Sequence, residues 1–204
     1  MREPVRALWQ GLAVFERYGH VFVVANLLAV LVSLPLVTAP AALAGLARLA
    51  YSAHTGPTAH IDDFWAGFRA NLGRGLLVAL ANVAVFGILW VNFNSYSQQS
   101  GAIFDVLRFV WLIILVIWVC AQLYLWPILE AMERPALHTA YFNAGLMTLK
   151  NPFYSIVLLM GIAIIVLIST ATVVPWALLT FSLIASIATA AVLDRLRAAT
   201  PGSR

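Results

Sequence analysis

The chain has 204 residues, 63% of them hydrophobic and 10% charged, with a formal net charge of +4 and one cysteine, Cys120. Soluble domains carry about 25% charged residues, and the twelve basic and eight acidic side chains here cannot coat a water-soluble globule of this size. These figures argue against a soluble enzyme, a disordered chain and a disulfide scaffold, and the absence of any basic run argues against a nucleic-acid partner.

Residues 1–17 read as an amphipathic helix on the membrane surface, because Val5, Leu8, Trp9, Leu12 and Phe15 recur at helical spacing while Arg6, Gln10 and Arg17 lie elsewhere around it. An extension packed on cytoplasmic loops is the alternative. Residues 18–53 hold a long uncharged run interrupted by Leu34-Pro35-Leu36-Val37-Thr38-Ala39-Pro40. This is either one kinked span or a proline-broken hairpin. Cytoplasmic flanks of membrane spans are enriched in Lys and Arg, and the hairpin leaves only Arg108 outside among twelve basic residues. The hairpin is therefore preferred, with Pro35, Thr38 and Pro40 forming its turn, Thr38 as the N-cap of the second arm, and both termini cytoplasmic.

Residues 61–74 predict an amphipathic elbow helix with Asp62 and Asp63 at its start and Arg69 and Arg74 near its exit. Transmembrane helices are predicted over 75–93, 109–129, 153–174 and 176–193, the last two separated at Val174-Pro175-Trp176. A second elbow spans Pro135 to Pro152. The fold class is thus all-α: one integral membrane domain, a polytopic transmembrane helical bundle of five to six membrane segments.

No charged residue lies deep in a predicted span, which weighs against a proton-coupled carrier. Asn26, Asn82, Asn92 and Gln122 could line a path for a neutral polar solute, although intramembrane amides more often bond between helices. Ser182, Ser186 and Ala190 form a small-residue ridge that permits close helix approach. His54, His60, Asp62 and Asp63, and later Glu130, Glu133 and His138, have metal-ligating chemistry, but no ligand spacing organises them. Neither a nucleophile elbow nor a phosphate loop is present. The sequence therefore predicts no catalytic residue, metal or cofactor. Phe64, Trp65, Phe68, Arg69 and Leu72 present an aromatic, basic face suited to a protein partner or to lipid headgroups.

Three segments carry a family resemblance. Asn26-Leu27-Leu28 through Leu34-Pro35-Leu36-Val37-Thr38-Ala39-Pro40-Ala41-Ala42-Leu43 comes first, then Asp63-Phe64-Trp65-Ala66-Gly67-Phe68-Arg69-Ala70-Asn71-Leu72, then Tyr124-Leu125-Trp126-Pro127-Ile128-Leu129. Together they resemble the YesL-like family of bacterial multi-pass membrane proteins, with one departure at Ala39, where a larger residue is usual. The resemblance covers most of the chain. It implies a bacterial plasma-membrane location and a link to carbohydrate uptake as a non-enzymatic accessory subunit, with a sugar importer as partner. A small stand-alone permease is the rival expectation.

Overall fold

The computed structural model describes residues 2–170 and 176–199. The described chain is almost wholly helical: α1 (Arg2–Arg17), α2 (Gly19–Val32), α3 (Ala39–Thr55), α4 (Ile61–Ala70), α5 (Leu72–Ser97), α6 (Ala102–Ala131), α7 (Leu137–Lys150), α8 (Pro152–Thr170) and α9 (Phe181–Ala199), with a π-helical turn Trp176–Thr180 leading into α9. It is an all-α bundle.

Four helices are long and apolar enough to cross a membrane: α5, α6, α8, and α9 with the three residues before it, Leu178–Ala199. A fifth is reached only if α1 and α2, bent by 96° at Tyr18, count as one span. The five reached this way is the lower figure of the five to six segments expected from sequence. The difference lies in α2 and α3, whose 14 and 17 residues fall short of the roughly 20 that a crossing needs. α3 therefore lies outside the spans so counted. The break between 153–174 and 176–193 falls partly on residues 171–175, outside the described residues.

The starts of α5 and α8 and the ends of α6 and α9 gather at one end. Arg74 donates to the Pro135 carbonyl at 3.0 Å, and Arg195 donates to Asn151 Oδ1 at 3.4 Å. Charged side chains collect here, and Glu3 pairs with Arg195 at 2.5 Å, which brings the first and last described helices to the same end. At the opposite end α5 and α6 extend beyond their predicted limits, to Ser97 and back to Ala102. Polar residues clear of lipid can continue a helix, and an Asp105–Arg108 ion pair of 2.8 Å, one turn apart, supports the start of α6.

The main core surrounds the C-terminal third of α6, where Tyr124, Leu125, Ile128 and Leu129 meet Ala44 and Ala47 of α3, Ala140 and Ala144 of α7, Leu158 of α8 and Ile187 of α9. Small residues let the helices approach. A Cβ at Gly11 would lie 2.6 Å from Ile187 Cα, and one at Gly67 would lie 2.8 Å from Arg48 Cβ. Glu3 meets Arg195 while Gly11 meets Ile187, so α1 runs antiparallel along α9.

That packing gives α1 a second face, opposite the bulky stripe read from the sequence. Pro4, Ala7 and Gly11 are the buried residues and Leu8 closes on Gly161 of α8, whereas Val5, Trp9 and Leu12 stay exposed. Small residues give the close contact, and the bulky stripe is left for lipid.

Residues 33–38 break the chain between α2 and α3, with Pro35 inside the break and Pro40 in the first turn of α3. Thr38 does not cap α3 with its side chain. Its hydroxyl instead donates to the Val32 carbonyl, satisfying the end of α2. The same break holds Leu36 at φ 55°, a left-handed backbone that costs a non-glycine residue about 1–2 kcal/mol.

Candidate functional site

At the charged end, α3, the α4–α5 junction and the end of α6 enclose a polar cavity of 410 Å³ lined by Arg48, Tyr51, Asn71, Arg74, Glu130 and Glu133 among others. The local sequence explains its construction. α4 starts at His60, whose backbone N–H donates to Asp63 Oδ2 at 3.0 Å. It stops one residue before Leu72 because buried Asn71 turns its amide back to the Gly67 carbonyl at 3.0 Å. Asn71 Oδ1 then accepts from Arg74 at 2.9 Å, and the same guanidinium reaches Pro135, so one arginine ties α5 to the α6–α7 loop.

Arg48 is set differently. It is half-buried on an alanine-rich α3, and its charge acts on Glu130 across the cavity from beyond ion-pair distance. Glu130 and Glu133 face the same cavity, yet no ion pair closes across it among the described residues. Opposite charges are held apart around an open polar space. Such a space can receive a polar side chain or loop carrying both donors and acceptors.

The predicted contact face is divided by the fold. Phe64 is fully buried, its ring against Gly45 of α3, which removes it as a contact residue. Its burial follows from Gly45, the one position where α3 leaves room for a ring. Trp65 and Phe68 are half-buried; Phe68 stacks on Phe64 and Trp65 meets both rings edge to face, at ring separations of 5.4 to 6.2 Å. Arg69 lies over the Trp65 ring at 5.7 Å and is exposed, as is Leu72. What remains accessible is therefore a rim of Arg69 and Leu72 beside the Arg48 cavity.

The polar-path residues are not brought together as a route. Asn26 is buried and its Oδ1 accepts the Ser182 N–H at 2.8 Å. Asn82 accepts from the Trp118 indole at 2.9 Å, Gln122 donates to the Tyr141 hydroxyl at 3.2 Å, and Asn92 donates to Ile88 of its own helix at 2.8 Å. Trp118 and Tyr141 also stack at 5.5 Å. The amides thus fasten α2 to α9, α5 to α6 and α6 to α7.

One serine–histidine pair occurs among the described residues, and its geometry is that of a joint. His54 Nε2 lies 3.1 Å from both the carbonyl and the hydroxyl of Ser186, while the Ser186 hydroxyl donates to the Gly11 carbonyl at 2.8 Å. A nucleophile would give its proton to the imidazole; here the proton points at backbone. Burial pushes the His54 pKa down to about 4, so the neutral ring links α3, α9 and α1. His60 and Asp63 serve the start of α4, and no group of three metal-ligating side chains occurs among the described residues.

Sequence reasoning singled out Glu130 and Glu133 but missed Arg48, Asn71 and Arg74 as a cluster. A lone arginine in an alanine-rich helix was the available signal, and its partners lie far along the chain. Comparison with family models, with curated proteins and with solved structures finds no match to this chain.

Proposed function

We propose that the chain is a non-enzymatic integral membrane protein that acts as an accessory partner of another membrane complex. The observation that carries this reading is the use of Asn26, Asn82 and Gln122 in fastening one helix to another. A permease for a polar solute needs such groups to face a path; here they face neighbouring helices. The charged end supplies the docking place, with Arg48 and Glu130 facing one cavity without a closed ion pair among the described residues and Arg69 and Leu72 exposed at the rim. The resemblance to the YesL-like family adds a bacterial plasma membrane, cytoplasmic termini and a sugar importer as partner.

Two measurements on the full chain test the proposal. Affinity isolation from the native membrane in mild detergent is expected to bring down a stoichiometric membrane partner, and Arg48→Ala with Arg69→Glu is expected to release it without changing membrane abundance. Purified protein in liposomes is expected to move no sugar above empty vesicles. Solute uptake by the isolated protein, with no partner recovered, would overturn the accessory reading in favour of a permease.

A further inference from the structure

The largest cavity among those described at the charged end is a different one. It has a volume of 610 Å³ and lies between the end of α6, one face of α7, the α7–α8 junction and the last turns of α9. Lys150, Asn143, Asn151 and Arg195 supply its polar wall, and Ile128, Leu146 and Met147 contribute to its apolar wall. None of the described residues lining it is acidic.

Several of its donors have work left to do. Lys150 is exposed and pairs with no described acid. Arg195 is largely committed: one terminal nitrogen meets Glu3 at 2.5 Å and Asp194 at 3.3 Å, the other meets Asn151 Oδ1, and the guanidinium carbon lies 3.9 Å from the centre of the Tyr154 ring. Its Nε, however, is buried and finds no acceptor among the described residues. Asn151 spends its oxygen on Arg195, which leaves its amide N–H groups for something else. The missing complement is an anion with several acceptor oxygens.

The location says where that anion comes from. Lys150 and Asn151 immediately precede Pro152, the first residue of the α8 span, so the cavity sits where a crossing helix enters the bilayer. Phe142 and Leu149 on α7 and Phe153 at the start of α8 are exposed on the helices that meet there, and Phe153 is 84% accessible. Aromatic and leucine side chains left bare beside a basic pocket suit acyl chains and glycerol backbone, not water. We propose that this cavity holds the phosphate headgroup of an anionic phospholipid. The Lys150 ammonium pairs with the phosphate, and the side-chain N–H groups of Arg195, Asn143 and Asn151 donate to its remaining oxygens. Bound there, the lipid fills the space between α7 and α9. The inference does not rest on the accessory role, since lipid binding is measured on the isolated protein.

The test uses the purified full chain in mixed micelles. Thermal unfolding and native mass spectrometry are read with added phosphatidylglycerol, with phosphatidylcholine and with inorganic phosphate alone. Phosphatidylglycerol is expected to raise the unfolding temperature and stay bound through detergent removal, and the other two additives are not. Lys150→Gln is expected to weaken phosphatidylglycerol retention about fivefold, the loss of roughly one lysine–headgroup contact, with unfolding in phosphatidylcholine unchanged and with Lys150→Arg restoring retention. Ala198→Trp, at an exposed position lining the cavity, provides an independent block. Equal retention of the two lipids, or wild-type retention in both Lys150→Gln and Ala198→Trp, would overturn the proposal. Equal stabilisation by inorganic phosphate would overturn the lipid as the source.

Discussion

α6 and α9 are both long enough to cross a membrane, and they solve the problem in opposite ways. The most apolar window of α6 has a mean hydropathy of 2.5 and is 6% buried within the protein, whereas that of α9 has a mean hydropathy of 1.5 and is 56% buried. The helix with more hydrophobic residues is the one on the outside. In lipid the solvent is itself apolar, so an outer helix must be apolar all round, while an inner helix can carry Ser182, Ser186 and Thr189 fully buried. Close backbone approach and side-chain hydrogen bonds hold α9 in place. α5 and the apolar window of α6 gain most from the bilayer, while the C-terminal third of α6 joins the core.

The sharpest way to break this contrast is to make one substitution in each region. Gly11→Ala places a methyl group 2.6 Å from Ile187 Cα, where backbone must move, and is expected to cost about 2–3 kcal/mol or more. Gly87→Ala on exposed α5 meets nothing within 4 Å and is expected to stabilise by up to about 1 kcal/mol through helix propensity. Thermal unfolding in one detergent checks both, and similar losses at the two positions would erase the distinction.

Next in size is the amide pair. Asn26→Leu leaves the buried Ser182 N–H without its acceptor and is expected to cost about 1–3 kcal/mol. Asn92→Leu loses only a bond to its own helix on an exposed face and is expected to change stability by less than about 0.5 kcal/mol. Denaturant titration of the two variants reads the difference.

A smaller effect distinguishes the α3–α9 joint by pH. The folded His54 pKa of about 4 lies below its ordinary value of 6.5 because burial disfavours the charged ring. Between these values the unfolded chain binds more protons than the folded one, so stability rises with pH in this window. The contribution is complete above about pH 6.5 and is lost as the pH falls toward 4. Unfolding temperatures measured from pH 7 to pH 4 should decline, and His54→Gln should flatten the decline. The smallest expected change is Val83→Leu on α5, an exposed swap predicted to leave the unfolding temperature within error.

What the sequence disclosed follows the same division. The apolar runs behind α5, α6 and α8 announce themselves because lipid-facing helices have to be apolar, and the elbows announce themselves through Asp63, Asn71 and Lys150. The small-residue ridge of Ser182, Ser186 and Ala190 is buried in α9 as its spacing suggests. Interior geometry was harder to read. In α1 the bulky residues Val5, Trp9 and Leu12 are exposed, as a membrane-facing stripe should be, but the sequence did not single out Ala7 and Gly11 as the face that packs, since inside a membrane protein hydrophobicity no longer separates inside from outside. The Phe64 ring was assigned to a surface because nothing local reveals that Gly45, nineteen residues earlier, makes room for it. The Arg48 cavity depends on residues from 48 to 135 meeting at one end, which no local pattern encodes.

The central claim is that α9 is the shielded span and that α5 and α6 are the lipid-facing ones. A photoreactive carbene precursor dissolved in the bilayer core, applied to the full chain in liposomes and read by peptide mass spectrometry, tests it most directly. The expected result is dense labelling of Val83, Trp90, Val110 and Ile113 on α5 and α6, with residues 182–190 of α9 nearly silent. Labelling of α9 as heavy as that of α6 would contradict the account.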